Sequence, residues 1–206
     1  MDYTIDVALD EKDARITGRE RITYHNQSPD TLTYLWVQID PNQISPTSHG
    51  ALSQLAPELD SMSYGEMHSL LTRLEFDGSC TIIDVSDGAG KSLPHTINDT
   101  MMRIDLPKPL TSGSSTELEI GWTYRINHSK RLRARTGYEE FKDGTRLFEI
   151  AQWFPRLAAY TDYDGWQTRP FLGRGEFTLE FGEYDVAITV PDTYIVGATG
   201  QLTNPR

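Results

Sequence analysis

The chain has 206 residues, 37% hydrophobic and 10% aromatic, with a formal net charge of -11. That length accommodates one large domain, residues 1–206, with a core of its own, and the acidic balance argues against a nucleic-acid partner, whose backbone needs clustered Lys and Arg. The single cysteine allows no internal disulfide, no run of eighteen apolar residues marks a transmembrane segment, and the opening MDYTIDVALD has neither the basic nor the apolar region of an export signal.

Tyr3, Ile5, Val7 and Leu9 share one parity, and Ile16 to Tyr24 (ITGRERITY) alternates in the same way, with a polar turn from Asp10 to Ala14 between them. Two half-buried strands joined as a hairpin are predicted. A third strand, Thr31 to Ile39, follows the turn residues Asn26 to Asp30. From Pro41 to Ser69 the periodicity fails, and the prediction is a long mobile insertion with at most a short helix near Leu59 to Leu70. Strand character resumes at Leu71–Phe76, Cys80–Val85, Met101–Leu106, Glu117–Ile126, Arg146–Ala151, Glu176–Phe181 and Tyr184–Val190. The Gly182-Glu183 punctuation makes the last two an adjacent pair. Cys80, inside CTIIDV, is expected to be a buried small hydrophobe rather than a reactive thiol. Together these features predict an all-β fold, a large mainly antiparallel β-sandwich or saddle-shaped curved sheet, with a loop and short-helix insertion near 41–70.

Local chemistry is sparse. His25, His49, His68, His95 and His128 are scattered with no two four residues apart, so no zinc site arises from helical spacing. The basic run Lys130 to Arg135 (KRLRAR) reads as a solvated loop in preference to an anion site. Asp162-Tyr163-Asp164-Gly165 has the heart of a calcium loop, but Tyr160 and Phe171 would then occupy its first and twelfth positions, and neither can ligate, so a turn is predicted. Glu139 and Glu140 are neighbours on a strand and point to opposite faces, which excludes a pair of glycosidase acids. No nucleophile elbow, P-loop or dinucleotide fingerprint is present.

The stretch from Leu147 to Leu202 contains QWFPR, GW-x-T, FLG-x-GEF and ATG-x-L-x-NP. In these motifs the chain resembles the N-terminal β domain of aminopeptidase N-like zinc metallopeptidases, in a bacterial branch. The resemblance implies a non-catalytic domain that packs on its own C-terminal catalytic domain, which would hold the zinc through HExxH and a distant Glu, neither of which occurs here. It also implies a peptide substrate and an exported or periplasmic parent. By the same resemblance Gln152, following a strand over Leu147–Ala151, accepts a hydrogen bond from the substrate's amino terminus, with acidic partners in a Gly-x-Met-Glu-Asn motif of the missing domain. The competing reading has Gln152 capping backbone groups at the strand end, and Glu149 is a weaker substrate-binding candidate. Trp153, Tyr160 and Trp166, with Tyr163, would line the cleft or an interface, leaving an apolar face exposed without the companion domain. The pattern departs from the wider family where Gln167 to Pro170 stands in place of Asp-Glu-Pro, so the register over 152–170 stays open. The alternative function is an independent β-sandwich module that binds carbohydrate or protein through those aromatics.

Overall fold

A computed structural model describes residues 1–53, 61–132, 134–172 and 178–204. In chain order the longer strands are β1 (Asp2–Asp10), β2 (Arg15–His25), β3 (Leu32–Gln38), β4 (Thr81–Asp87), β5 (His95–Asn98), β6 (Met101–Leu110) and β7 (Ser115–Arg125). Short strands follow: β8 (Gly137–Glu140), β9 (Arg146–Glu149), β10 (Arg156–Leu157), β11 (Tyr160–Thr161) and β12 (Gly165–Trp166), and then β13 (Glu183–Thr189). The helices are α1 (His49–Leu52) and α2 (Tyr64–Leu74).

Period-two alternation builds the sandwich. One sheet runs β13-β1-β2-β7-β4 and the other β10-β3-β6-β5, antiparallel except where β13 joins β1. Ile5, Ile16, Ile22, Leu118, Ile120 and Trp122 of the first sheet face Leu35, Val37, Met102 and Ile104 of the second. The β1–β2 turn is fixed by Asp10, whose Oδ1 accepts from the backbone N–H groups of Lys12 and Asp13 at 3.0 and 3.2 Å. Gly18 sits beside the buried Trp122 ring, and a Cβ there would lie 2.7 Å from Cε2, so the indole occupies the space that any side chain would need. Cys80 is buried, and desolvation pushes its thiol up to about 12, which leaves it protonated and inert.

The insertion is more structured than its composition predicts. Asp40–Ile44 forms a 3-10 turn with Pro41 near its start, and Ser48 caps α1. Asn42 pins this segment to the sandwich, donating to Asp99 O at 2.7 Å and accepting from Cys80 N at 2.8 Å. Leu71–Phe76, predicted as a strand, instead lies mostly in α2. Ser63 and Glu66 form a reciprocal capping box that starts the helix upstream, and propagation carries through the apolar run. The predicted strand Glu176–Phe181 is also corrected: Thr178–Phe181 is irregular, while Glu176 and Phe177 lie outside the described residues. The adjacent strand forms, but its partner is distant. β13 runs parallel to β1 with Tyr184 opposite Tyr3, and their rings stack at 4.8 Å. Among the described residues no helix is long and apolar enough to cross a membrane.

Candidate functional site

The hairpin β8–β9 delivers the chain to Gln152. Thr136 clamps the preceding residue, with Oγ1 donating to Ala151 O at 2.6 Å and accepting from Ala151 N at 3.0 Å. With Ala151 held, the backbone at Gln152 takes the left-handed conformation, φ 54°. For a residue with a Cβ this costs about 1 kcal/mol and persists only where the surroundings impose it. The Gln152 amide nitrogen and oxygen are both buried and lack hydrogen-bond partners among the described residues, as does the Tyr124 hydroxyl. All three belong to residues lining a crevice of about 10 Å³, with Asp40, Pro41, Gln43, Ile44 and Thr136. That volume is about one water in size. Gln152 therefore combines a strained backbone with an unspent donor and acceptor. It can accept from an ammonium or amide N–H, but as a neutral group it brings no charge.

Next to Gln152 stands an ion pair that sequence reasoning missed. Arg156, on β10, reaches Asp40 at the end of the β3 segment; the two residues are 9% and 2% exposed. The available signal was an acid placed directly after the strand-like run Leu35 to Ile39 and before Pro41. The pair ties the QWFPR segment to the wall of the crevice that holds Gln152.

The other predicted site residues do not converge on this point. Glu149 is exposed at the end of β9, opposite Gly137, and does not line the crevice. The aromatics divide into two groups. Trp153 packs on Trp122 and Phe154, with ring centroids at 6.4 and 4.7 Å, whereas Tyr160 meets Trp166 edge-on at 5.1 Å, and Trp166 leans on Tyr24. Trp153, Tyr160 and Trp166 are partly buried against the core. The apolar face expected over Trp153–Trp166 is thus largely covered, and only Tyr163, 85% exposed, projects from it. Exposed apolar side chains occur instead toward the C-terminal end, at Phe181, Ile195 and Leu202, and at Tyr184, Val186 and Ile188 on β13, the edge strand of its sheet among the described residues.

Asp162 to Gly165 forms the tight turn of the β11–β12 hairpin, with Gly165 at φ 70°. The Tyr160 hydroxyl donates to Asp30 Oδ2 at 2.6 Å, and this bond holds its pKa up at about 12. Glu140 is engaged by Arg146 at 2.9 Å. No group of three metal-ligating side chains occurs among the described residues.

These elements define a two-sheet, mainly antiparallel β domain in which Gln152, in a left-handed conformation, lies beside a buried ion pair. No family model matches the chain, and no curated protein does. Solved structures do. An M1 zinc metallopeptidase from Deinococcus radiodurans aligns with a TM-score of 0.52 at 14% identity, over 99% of this chain and 35% of that one. A mutant of the M1 zinc metallopeptidase from that organism, bound to a Tyr-Ser-Ala substrate, aligns at 0.51 and 12% identity with the same coverage. At such identities the likeness establishes the fold alone. The chain spans about a third of the length of the solved structures it matches.

Proposed function

We propose that residues 1–206 form the non-catalytic N-terminal β domain of a zinc metallopeptidase of the aminopeptidase type. In this reading the domain packs on a companion catalytic domain and presents Gln152 to the free amino terminus of a peptide. The fold match to zinc metallopeptidases and the QWFPR to ATG-x-L-x-NP motifs support the reading, and the observation that carries it is Gln152 itself, strained and without a side-chain hydrogen bond among the described residues. In the companion domain zinc would supply an activated water. The work of this chain is positional. Thr136 fixes Ala151, the left-handed turn directs the next side chain, and Gln152 Oε1 accepts one ammonium N–H. Engagement requires the amide to turn out of its crevice, which breaks no hydrogen bond to the described residues. The charge complement must come from acids outside this chain. The half-buried packing of Trp153, Tyr160 and Trp166 removes the main support for a separate aromatic binding module.

In the full-length protein, Gln152→Ala is expected to raise KM about tenfold to a hundredfold for peptides with a free amino terminus, the loss of one hydrogen bond to a charged group. Substrates blocked by N-acetylation should show no such change. Equal kinetics for mutant and wild type on free peptides would remove Gln152 from the substrate site.

A further inference from the structure

An open cavity of about 680 Å³ lies at the end of the sandwich, between the β1–β2 turn, α2 and the segment after β7. It is lined by Lys12, Arg15, Arg125, Lys130 and Arg131, and among the described residues Asp13 is the one acid that lines it. The chain carries a net charge of -11, so this concentration of positive charge is not a reflection of composition. None of these five cations takes part in an ion pair among the described residues.

Their arrangement is built rather than scattered. Arg15 pairs directly with Arg125 of β7 on one side and with Asp10 of β1 on the other, so the register sets two guanidinium groups together at the cavity, while Asp10 does not line it. Phe76, itself buried, underlies two guanidinium groups, with Arg125 and Arg131 at 5.7 and 5.3 Å from its ring centroid. Cation–π contacts at these distances hold both guanidinium groups at one aromatic ring. His128 Nδ1 accepts from the Lys130 backbone N–H at 3.1 Å, which leaves the ring proton on Nε2 as a further donor. His128 also lines the cavity, as does His68 from α2.

We propose that this cavity binds a small soluble anion bearing two or more phosphate groups. Planar guanidinium forks match phosphate oxygens two at a time, and five cations exceed what one carboxylate can satisfy. The volume lies within the range of pockets for small organic ligands. The net negative charge of the rest of the surface repels long polyanions, which selects a compact ligand over nucleic acid.

The test is isothermal titration calorimetry of the 206-residue chain with tripolyphosphate in about 50 mM salt, a condition under which charge-driven binding is only partly screened. The expected result is saturable one-site binding that weakens at least tenfold in Arg125→Glu and in the exposed-loop variant Lys130→Ala. Arg21→Ala, which removes an exposed arginine paired with Glu119 on the outer sheet face, should bind like wild type. Near-UV circular dichroism establishes that each variant is folded. Absence of saturable binding, an equal loss in Arg21→Ala, or binding of a poly-glutamate peptide in place of tripolyphosphate would each overturn the proposal.

Discussion

Asp40→Ala is expected to destabilise the chain by about 3–5 kcal/mol, the usual cost of breaking a buried ion pair by removing one member, because it takes away the buried carboxylate that the Arg156 guanidinium contacts. The size follows from where the charge sits. Arg156 is 9% exposed, so water cannot take over solvation of the guanidinium without opening the pairing of β10 with β3. Asp84→Ala provides the internal comparison. It breaks a bidentate pair with Arg19 at 2.6 and 2.9 Å, yet both side chains are well exposed, and such pairs contribute about 0–1 kcal/mol. Urea denaturation midpoints of the two variants check the contrast. Comparable losses in both would mean that Asp40 and Arg156 are solvated in solution.

Glu20→Met is expected to stabilise the chain by about 1–3 kcal/mol, the penalty of keeping a polar group buried without a hydrogen-bond partner. Glu20 is 1% exposed on β2, between Ile5 of β1 and Ile120 of β7, and neither carboxyl oxygen has a hydrogen-bond partner among the described residues. Burial therefore raises its pKa well above the ordinary 4.5. Tyr3, Cys80 and Tyr184 feel its charge if it ionises.

A carboxyl whose pKa is raised on folding binds more protons in the folded state than in the unfolded state. Its contribution is fully present below the unfolded pKa and is lost as pH rises from about 4.5 through the raised folded value. Asp2, Glu66 and Asp143 act in the opposite sense, their pKa values lowered first of all by hydrogen bonds from His25, Ser63 and Thr145. Their contributions disappear on acidification below the ordinary carboxylate range, so the two effects occupy different windows. Wild-type stability should thus decline from pH 4.5 toward neutrality, and Glu20→Met should flatten that decline. A mutant with the same pH slope as wild type would show that another group is responsible.

The sequence carried the strands because their signal is local. Parity alone placed Tyr3, Ile5 and Val7, and then Ile16, Ile22 and Tyr24, on inward faces. Glu20 shares that parity, but alternation cannot reveal whether a carboxyl between Ile5 and Ile120 will find a partner. Errors arose where the deciding contact was elsewhere in the chain. Leu71–Phe76 has strand-like composition, but the Ser63–Glu66 cap upstream commits it mostly to helix. β13 was legible as a strand, whereas its pairing with β1 brings together residues more than 170 positions apart, and the nearby glycine turn pointed to a hairpin instead. Gln152 was reached through motif resemblance, while its left-handed backbone and its neighbour Asp40 emerge only in three dimensions. The cation cavity was hidden for the same reason. KRLRAR alone reads as solvated loop, and Arg15 and Arg125 become significant only when β2 and β7 place them face to face.

The zinc content and peptidase activity of the polypeptide encoded by the native reading frame test the proposed role most directly. The expected result is a product that extends beyond Arg206, holds one zinc per chain, releases amino-terminal residues from unblocked peptides and loses that activity to a chelator. The isolated 206-residue domain should bind no zinc and cleave nothing. A native product that ends at Arg206, or a longer one without zinc or peptidase activity, would contradict assignment of this domain to an active zinc peptidase.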